Sequence, residues 1–587
     1  MMDILPFKHR PLPAGNHFRI LHVRRSANDG TPVCTFETIS LDSPSHQYIA
    51  ISYTWGDPTP VRQVASSDGQ PLTLSRILSD LFDAMSNRHD TFTIYVDALC
   101  INQSDLVEKA NQVRIMGKVY SNAQMVMVWL GVADDHSARA FQYMKKRTLQ
   151  NQLSTTNTWS NPIIKTLLPE NISTKTQDVV DALMALLTRR WFQRVWVIQE
   201  TILGGNVHVA CGDDIIDFDT FKSNMLLLWD CPETVDYLDV RHPSYLGFRC
   251  ATRIFALQEE FGKSGRIPLE PLFEAIFYYS ATDSRDFIFA IQELAHCANL
   301  LPGPDYSFST EKVFTETAEN ILCRGSSLDL LSMCGLGPRQ QASSFIEYIG
   351  QPSNTVDVEL PSWVPDFRLS AYDEPIWGAN RGGWRAGGTF RNSPSRSPGG
   401  LHVDAVILDR VAQVGEEIDS MSFDRLHNSL QCTLNVAQGA ESHSAHQSPD
   451  LVWKTLVQDF DMDEEPAPPE LGIEFKALLR ALDSNQPWEE VKKNEMYRII
   501  RVRADSWKAF STKEGYFGMT WSLVEEGDAL CLLPGCRHPL IIRPIDEISR
   551  GEAEWGRGVL VGWCYVHGIM HGEAVTDRSD FARIVLE

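Results

Sequence analysis

No apolar run in this sequence is long enough to cross a bilayer. The longest, Met125 to Ala133, falls well short of the ~20 residues a spanning helix needs. The amino terminus, MMDILPFKHRPLPAG, lacks the apolar core of a secretory signal. Positive charge is also scarce, with 53 Lys and Arg against 76 Asp and Glu and a formal charge of −23. No contiguous basic stretch offsets that excess, which excludes nucleic acid or an anionic membrane as the main partner. The 12 cysteines never fall in CxxC spacing, and Cys531 and Cys536, the nearest pair, are five positions apart. Such scatter argues against a disulfide frame or a zinc site and for buried thiols in a reducing compartment. There is no GxxxxGK[ST], HExxH or GxSxG, and Gly335-Leu336-Gly337 reads as a turn, not a dinucleotide fingerprint. These absences predict a cytoplasmic protein with no membrane span, no nucleic-acid partner and no bound metal.

What is present is globular: 43% hydrophobic residues and 15 Trp in 587 residues, more than one hydrophobic core accommodates. The chain is organised around Thr91 to Gly131. An apolar run rich in β-branched and aromatic residues, Phe92 to Leu99, is broken by Asp97 and followed by a polar turn at 102–105. A helical pattern then places apolar residues at Leu106, Ala110, Val113, Met116 and Tyr120, and Gln124 to Leu130 is a second apolar run. Strand, capped helix and strand in that order predict a βαβ crossover with buried parallel strands. Asp97 then stands at a carboxyl strand end, where open α/β sheets bind ligands.

Residues 17–41 read as a hairpin, and Tyr48 to Tyr53 (YIAISY) as a buried strand closed by the Gly56-Asp57-Pro58 loop. With a helix at 74–85, helical spacing at 178–200 and a strand at 206–211, the pattern predicts an α/β domain. Its sheet is expected to be doubly wound and parallel, of flavodoxin-like topology, over residues 1–215 with a core at 48–211. Helical patterns dominate 216–370. Gly, Ser, Pro and Arg dominate 371–400, which is expected to be a flexible linker or loop, and 435–450 reads as a second polar linker. Residues 401–587 are expected to form a C-terminal module ending in a small β-barrel or sandwich.

The topology gathers a set of polar side chains. Ser52, Tyr53, Asp57, Asp97 and Cys100 lie at or just after strand ends on one sheet edge, while Trp196 and Glu200 share a helix face four residues apart. A carboxylate against an indole in a crevice gains proton affinity through burial, which suits base chemistry or stabilisation of a developing cation. Blander readings stand beside these. Glu200 also reads as simply the ion-pair partner of Arg194 or Arg190. Asp57 and Asp97 read as Asx-turn caps, Asp57 above all, with ligation of a hard cation as the alternative, for which no third ligand is evident. Cys100 is either a nucleophile or a packed thiol, and the tryptophans either core or ligand platform.

The motifs YIAISYTWGDP (48–58), IYVDALCINQSD (94–105), EKANQVRIMGKVYSNA (108–123), VMVWLG (126–131) and RRWFQRVWVIQE (189–200) together resemble the heterokaryon incompatibility (HET) domain of filamentous fungi. The likeness continues through DSRDFIFA (283–290), PDYSFS (304–309), LPSWVPDF (360–367), GYFGM (515–519), EGDALCLLPGCRHPLIIR (526–543) and VGWCYVHGIMHGEA (561–574). This resemblance implies intracellular non-self recognition signalling that ends in regulated cell death, with other incompatibility proteins or further copies of the chain as partners. HET domains are in turn similar to TIR domains. Ser52-Tyr53 with Asp57 resembles the first TIR box, and Trp196 with Glu200 resembles the helix that carries the catalytic Glu of NAD-cleaving members. By that likeness Glu200 is the candidate catalytic residue of an NAD glycohydrolase, stabilising an oxocarbenium-like transition state as nicotinamide leaves. Ser52, Tyr53, Asp57, Asp97, Cys100 and Trp196 would line or support the pocket. NAD is then a substrate, and no cofactor is required. A non-catalytic scaffold is the remaining alternative.

Overall fold

The computed structural model describes residues 7–26, 30–42, 47–67, 69–153, 173–228, 242–325, 327–336, 358–368, 383–441, 450–462, 465–520, 523–546, 556–575 and 581–587. Two units emerge from the packing: Met1–Ala298 with Pro302–Ser309, and Asn299–Leu301 with Thr310–Glu587. Among the described residues no helix is long and apolar enough to cross a membrane.

The first unit is built on a sheet of nine strands, in the order β5-β4-β2-β1-β6-β3-β7-β8-β9. Its centre is four parallel strands: β6 (Thr91–Tyr95), β3 (Ile49–Tyr53), β7 (Met125–Trp129) and β8 (Val207–Cys211). In β3 and β7 every residue after the first is buried, as strands covered on both faces require. Three crossovers link these strands through helices, among them Arg76–Arg88 and Leu106–Ser121. The second is capped by Asp105, whose carboxylate accepts from the Val107 and Glu108 backbone N–H groups.

The sheet is mixed, which corrects the expectation of an all-parallel sheet. The hairpin β1 (His17–Arg25) and β2 (Pro32–Ser40) docks antiparallel onto β6, Leu21 opposite Ile94, and occupies what would be an open edge. At the other edge β9 (Asp214–Asp217) turns straight back from β8, and so short a turn permits only antiparallel pairing. A further hairpin, β4 (Pro60–Ser66) with β5 (Leu72–Ser75), was missed because Pro58 and Pro60 mark a loop. Pro60 is tolerated there as the first residue of a strand near the sheet edge. Arg19, buried on β1, fastens the hairpin by donating to both Glu108 oxygens (2.6 and 3.0 Å), the Cys100 carbonyl and the Arg10 carbonyl. The helical stretch expected at 216–370 is divided: helices Phe218–Leu226, Tyr245–Ser264, Leu269–Ile276 and Asp286–Phe289 belong to the first unit, and Thr310–Arg324 to the second.

In the second unit, β11 (Gly400–Glu417), β12 (Lys508–Thr512), β13 (Phe517–Thr520), β16 (Gly556–Val566), β15 (Leu540–Pro544) and β14 (Ala529–Leu532) pair in that order, and β14 pairs back onto β11. The ring closes, giving a barrel with no open edge among these six. Closure depends on the long β11, which pairs with β14 along Val406–Arg410 and with β12 from Val411 to Glu417. The linker expected at 435–450 is helical as far as Glu441, in the helix Phe423–Glu441. Leu426, Leu430, Val436, Ala437 and Ala440 form one buried stripe on it, while 442–449 lie outside the described residues. Of the stretch 371–400, residues up to 382 lie outside the described residues. Trp384 and Ala386 are buried, and β10 (Ser395–Ser397) pairs with the start of β11.

Candidate functional site

The strands β3 and β6 run parallel, so their carboxyl ends open on the same edge. After Tyr53 the chain leaves the sheet in the loop that Pro58 enforces, which carries Trp55 outward to 40% exposure. After Tyr95, Asp97 begins a single helical turn, Asp97–Cys100. The third crossover returns through a 3-10 turn, Arg190–Gln193, and the helix Trp196–Ile202, which lies against β3. Between turn and helix, Arg194 is extended and reaches back to the edge.

Ser52, wholly buried at the end of β3, is the centre of the cluster. Its hydroxyl accepts from the Trp191 indole N–H at 2.8 Å and donates to a Glu200 carboxylate oxygen. The Arg194 guanidinium donates to the Tyr53 carbonyl and stands 4.0 Å from both Glu200 and Asp97. Asp97 accepts from the Trp55 indole at 2.9 Å and from the Ala98 backbone N–H at 2.8 Å. Side-chain exposure falls from Arg194 (17%) and Asp97 (13%) to Glu200 (2%), so the cluster narrows from a wet rim to a dry end.

That burial sets the electrostatics. Loss of hydration pushes the Glu200 carboxyl from 4.5 up to about 7, and Arg194 and the Ser52 hydroxyl offset only part of it. Arg194 is held charged, because Glu200 and Asp97 together outweigh the cost of its own burial. The Tyr53, Tyr95 and Tyr120 hydroxyls are all raised well above their ordinary value, chiefly by burial. A carboxyl that titrates near neutrality, beside a hydroxyl and a fixed cation, can give or take a proton.

The predicted site residues separate into two groups. Ser52, Asp97 and Glu200 come together, with Tyr53 adjoining through its carbonyl. Asp57 stands apart and exposed, where its carboxylate accepts from the Thr59 N–H and hydroxyl in an Asx turn. Cys100 is buried, with a thiol pushed up to about 12, and its carbonyl accepts from Arg19. Trp196 turns its indole away from Ser52 and donates to Asp286 at 3.0 Å. Among the described residues no three His, Cys, Asp or Glu side chains group as a metal site requires.

Sequence reasoning missed Trp191, Trp55 and Tyr120, and weighed Arg194 only as an ion-pair partner. Trp191 lies within the 3-10 turn Arg190–Gln193, so helical periodicity counted back from Glu200 does not find it. Tyr120 lies on the crossover helix and donates to the Ile51 carbonyl at 3.0 Å.

Comparison with known proteins places this geometry in a context. Residues 48–200 match the family described as heterokaryon incompatibility protein (HET), a span that begins at the first central strand and ends on Glu200. Residues 472–584 match the Het-6 beta-barrel domain, over most of the barrel strands. The chain is similar to "Heterokaryon incompatibility protein 6, OR allele" of Neurospora crassa, at 26% identity over 96% of this chain and 95% of that one. No solved structure matches the chain.

Proposed function

We propose that this chain is an incompatibility-type protein of a fungus, acting in intracellular non-self recognition that ends in regulated cell death. The observation that carries this reading is the HET match over 48–200, which encloses every side chain of the Ser52–Trp191–Arg194–Glu200–Asp97 cluster. The Neurospora crassa relative supports it, since the correspondence runs through both units. On this reading the first unit is the effector and acts in the cytoplasm, with other incompatibility proteins or further copies as partners. Its parallel centre is of flavodoxin or TIR type. The strand order β6-β3-β7-β8, second-first-third-fourth along the chain, supports that assignment.

Regulated expression of the full chain in a filamentous fungus tests the proposal. Wild type should arrest growth, and Glu200→Gln, which keeps the shape but not the charge, should relieve the arrest. Normal growth on expressing the wild type would remove the reading.

A second reading, NAD cleavage at Glu200, draws on one feature: a carboxyl near neutrality beside Ser52 at a carboxyl strand edge. Against it stands the near-complete burial of Glu200, whose side chain is 2% exposed. Nicotinamide release from NAD by wild type, absent in Glu200→Gln, would support it; no release from either would end it.

A further inference from the structure

The helix that carries Glu200 is gripped from two sides, and only one grip lies within residues 48–200. On the sheet side, Ser52 and the Tyr53 carbonyl hold Glu200 and Arg194. On the other side, Ser280 forms a two-bond bridge around Arg194. Its N–H donates to the Gln193 carbonyl at 2.6 Å, and its carbonyl accepts from the Val195 N–H at 3.0 Å. The Ser280 hydroxyl adds a third bond to Gln193, at 3.0 Å.

One turn before Glu200, the Trp196 indole donates to Asp286 at 3.0 Å, and the Tyr306 hydroxyl donates to the other oxygen of the same carboxylate at 2.8 Å. Arg285 secures that tyrosine's strand of chain by donating to the Tyr306 and Phe308 carbonyls at 2.7 and 2.5 Å, and is itself paired with Asp283. Lys109, on the helix between β6 and β7, sits 3.8 Å over the Tyr306 ring. All of these residues belong to the first unit. A buried carboxylate that receives two aimed donors fixes both with little freedom, since leaving either unmet costs the desolvation of a polar group.

We propose that Asp286 is a positioning residue for the Glu200 cluster, acting through the Trp196 indole, and that Ser280 to Asp286 and Tyr306 to Phe308, all in the first unit, are part of the site. The HET function then draws on first-unit residues as far as Phe308, well past the end of the family match. Rotation of the Trp196–Ile202 helix about its axis is what Asp286 prevents. A small rotation there moves the Glu200 carboxylate off the Ser52 hydroxyl and Arg194 away from Asp97.

The test uses the full chain carrying Tyr306→Phe or Asp286→Asn, with indole N–H resonances followed in protein labelled with 15N-tryptophan. Trp191 touches neither altered residue and reports on Ser52, so a merely local defect leaves its signal in place. The expected result is a shifted Trp191 resonance at unchanged far-ultraviolet circular dichroism, together with loss of growth arrest. An unmoved Trp191 resonance overturns the inference, whatever happens to growth. The growth readout alone rests on the function proposed above: if the wild type arrests nothing, that reading fails, and the Trp191 shift still decides this one. Should neither variant fold, hydrogen exchange on the wild-type chain decides. The amides of Trp196–Ile202 and Asp286–Ala290 should open together as one unit, and opening of the second group with the first still protected would overturn the inference.

Discussion

Ser52 makes the two hydrogen bonds on which the cluster turns, one from the Trp191 indole and one to Glu200. Ser52→Ala leaves the buried Trp191 indole without its acceptor and takes one donor from Glu200, and should destabilise the chain by about 1–3 kcal/mol, read as a lowered urea midpoint. An unchanged midpoint would mean that solvent reaches these groups. Glu200 carries a pH signature of its own. Its carboxyl is raised from 4.5 to about 7 by burial, so between those values the folded chain keeps a proton that the unfolded chain releases. Stability from this group is complete below about pH 4.5 and is lost as pH rises through about 7. The difference between wild type and Glu200→Gln isolates that effect, because Asp286, raised to about 6 by its own burial, is common to both. The urea midpoint of wild type should fall more steeply from pH 4.5 to 7 than that of the variant. Parallel curves would show that Glu200 is not raised.

At the scale of elements, the close approach of the crossover helix Leu106–Ser121 to its neighbours depends on Gly117. A Cβ there would meet the Glu293 carboxylate and would come within 2.7 Å of Leu203, the residue that ends the site helix. Both contacts are with the far ends of flexible side chains that can turn aside, so Gly117→Ala should cost no more than about 1 kcal/mol net of the better helix propensity of Ala. Thermal unfolding measures it, and a raised midpoint would show that the helices part without cost. The same element explains what patterning does well. Apolar spacing and the Asp105 cap are local, so the helix was legible almost to the residue, as were β3 and β7.

At the scale of the whole molecule, the second unit closes its barrel around strands whose neighbours sit far away in the sequence. Gly335 shows how tight the joining is. It has φ +112°, and a Cβ on it would stand 2.5 Å from the Val561 carbonyl oxygen on β16. Gly335→Ala combines left-handed strain with a clash against backbone, and should cost at least about 2 kcal/mol. Hydrogen exchange on the full chain would report it as lost protection in β16; protection equal to that of wild type would refute it.

The sequence by itself determined the parallel centre of the first unit, the loop after Tyr53, the place of Asp97 at a strand end, and the barrel-like β module. Each follows from periodicity, Pro and Gly chemistry and caps, which act over a few residues. It also placed Ser52, Asp97 and Glu200 on a common edge, because parallel crossovers leave little choice of where strand ends fall. Only the tertiary structure decided which indole meets Ser52, that Arg194 stands between two carboxylates, and that Trp196 faces Asp286. It alone decided that hairpins cap both edges of the sheet. Those outcomes depend on side-chain directions after a 3-10 turn and on pairing between segments ninety or more positions apart, such as Trp196 with Asp286. No local pattern encodes contacts of that range, since burial and charge select the partner only once the chain has come together.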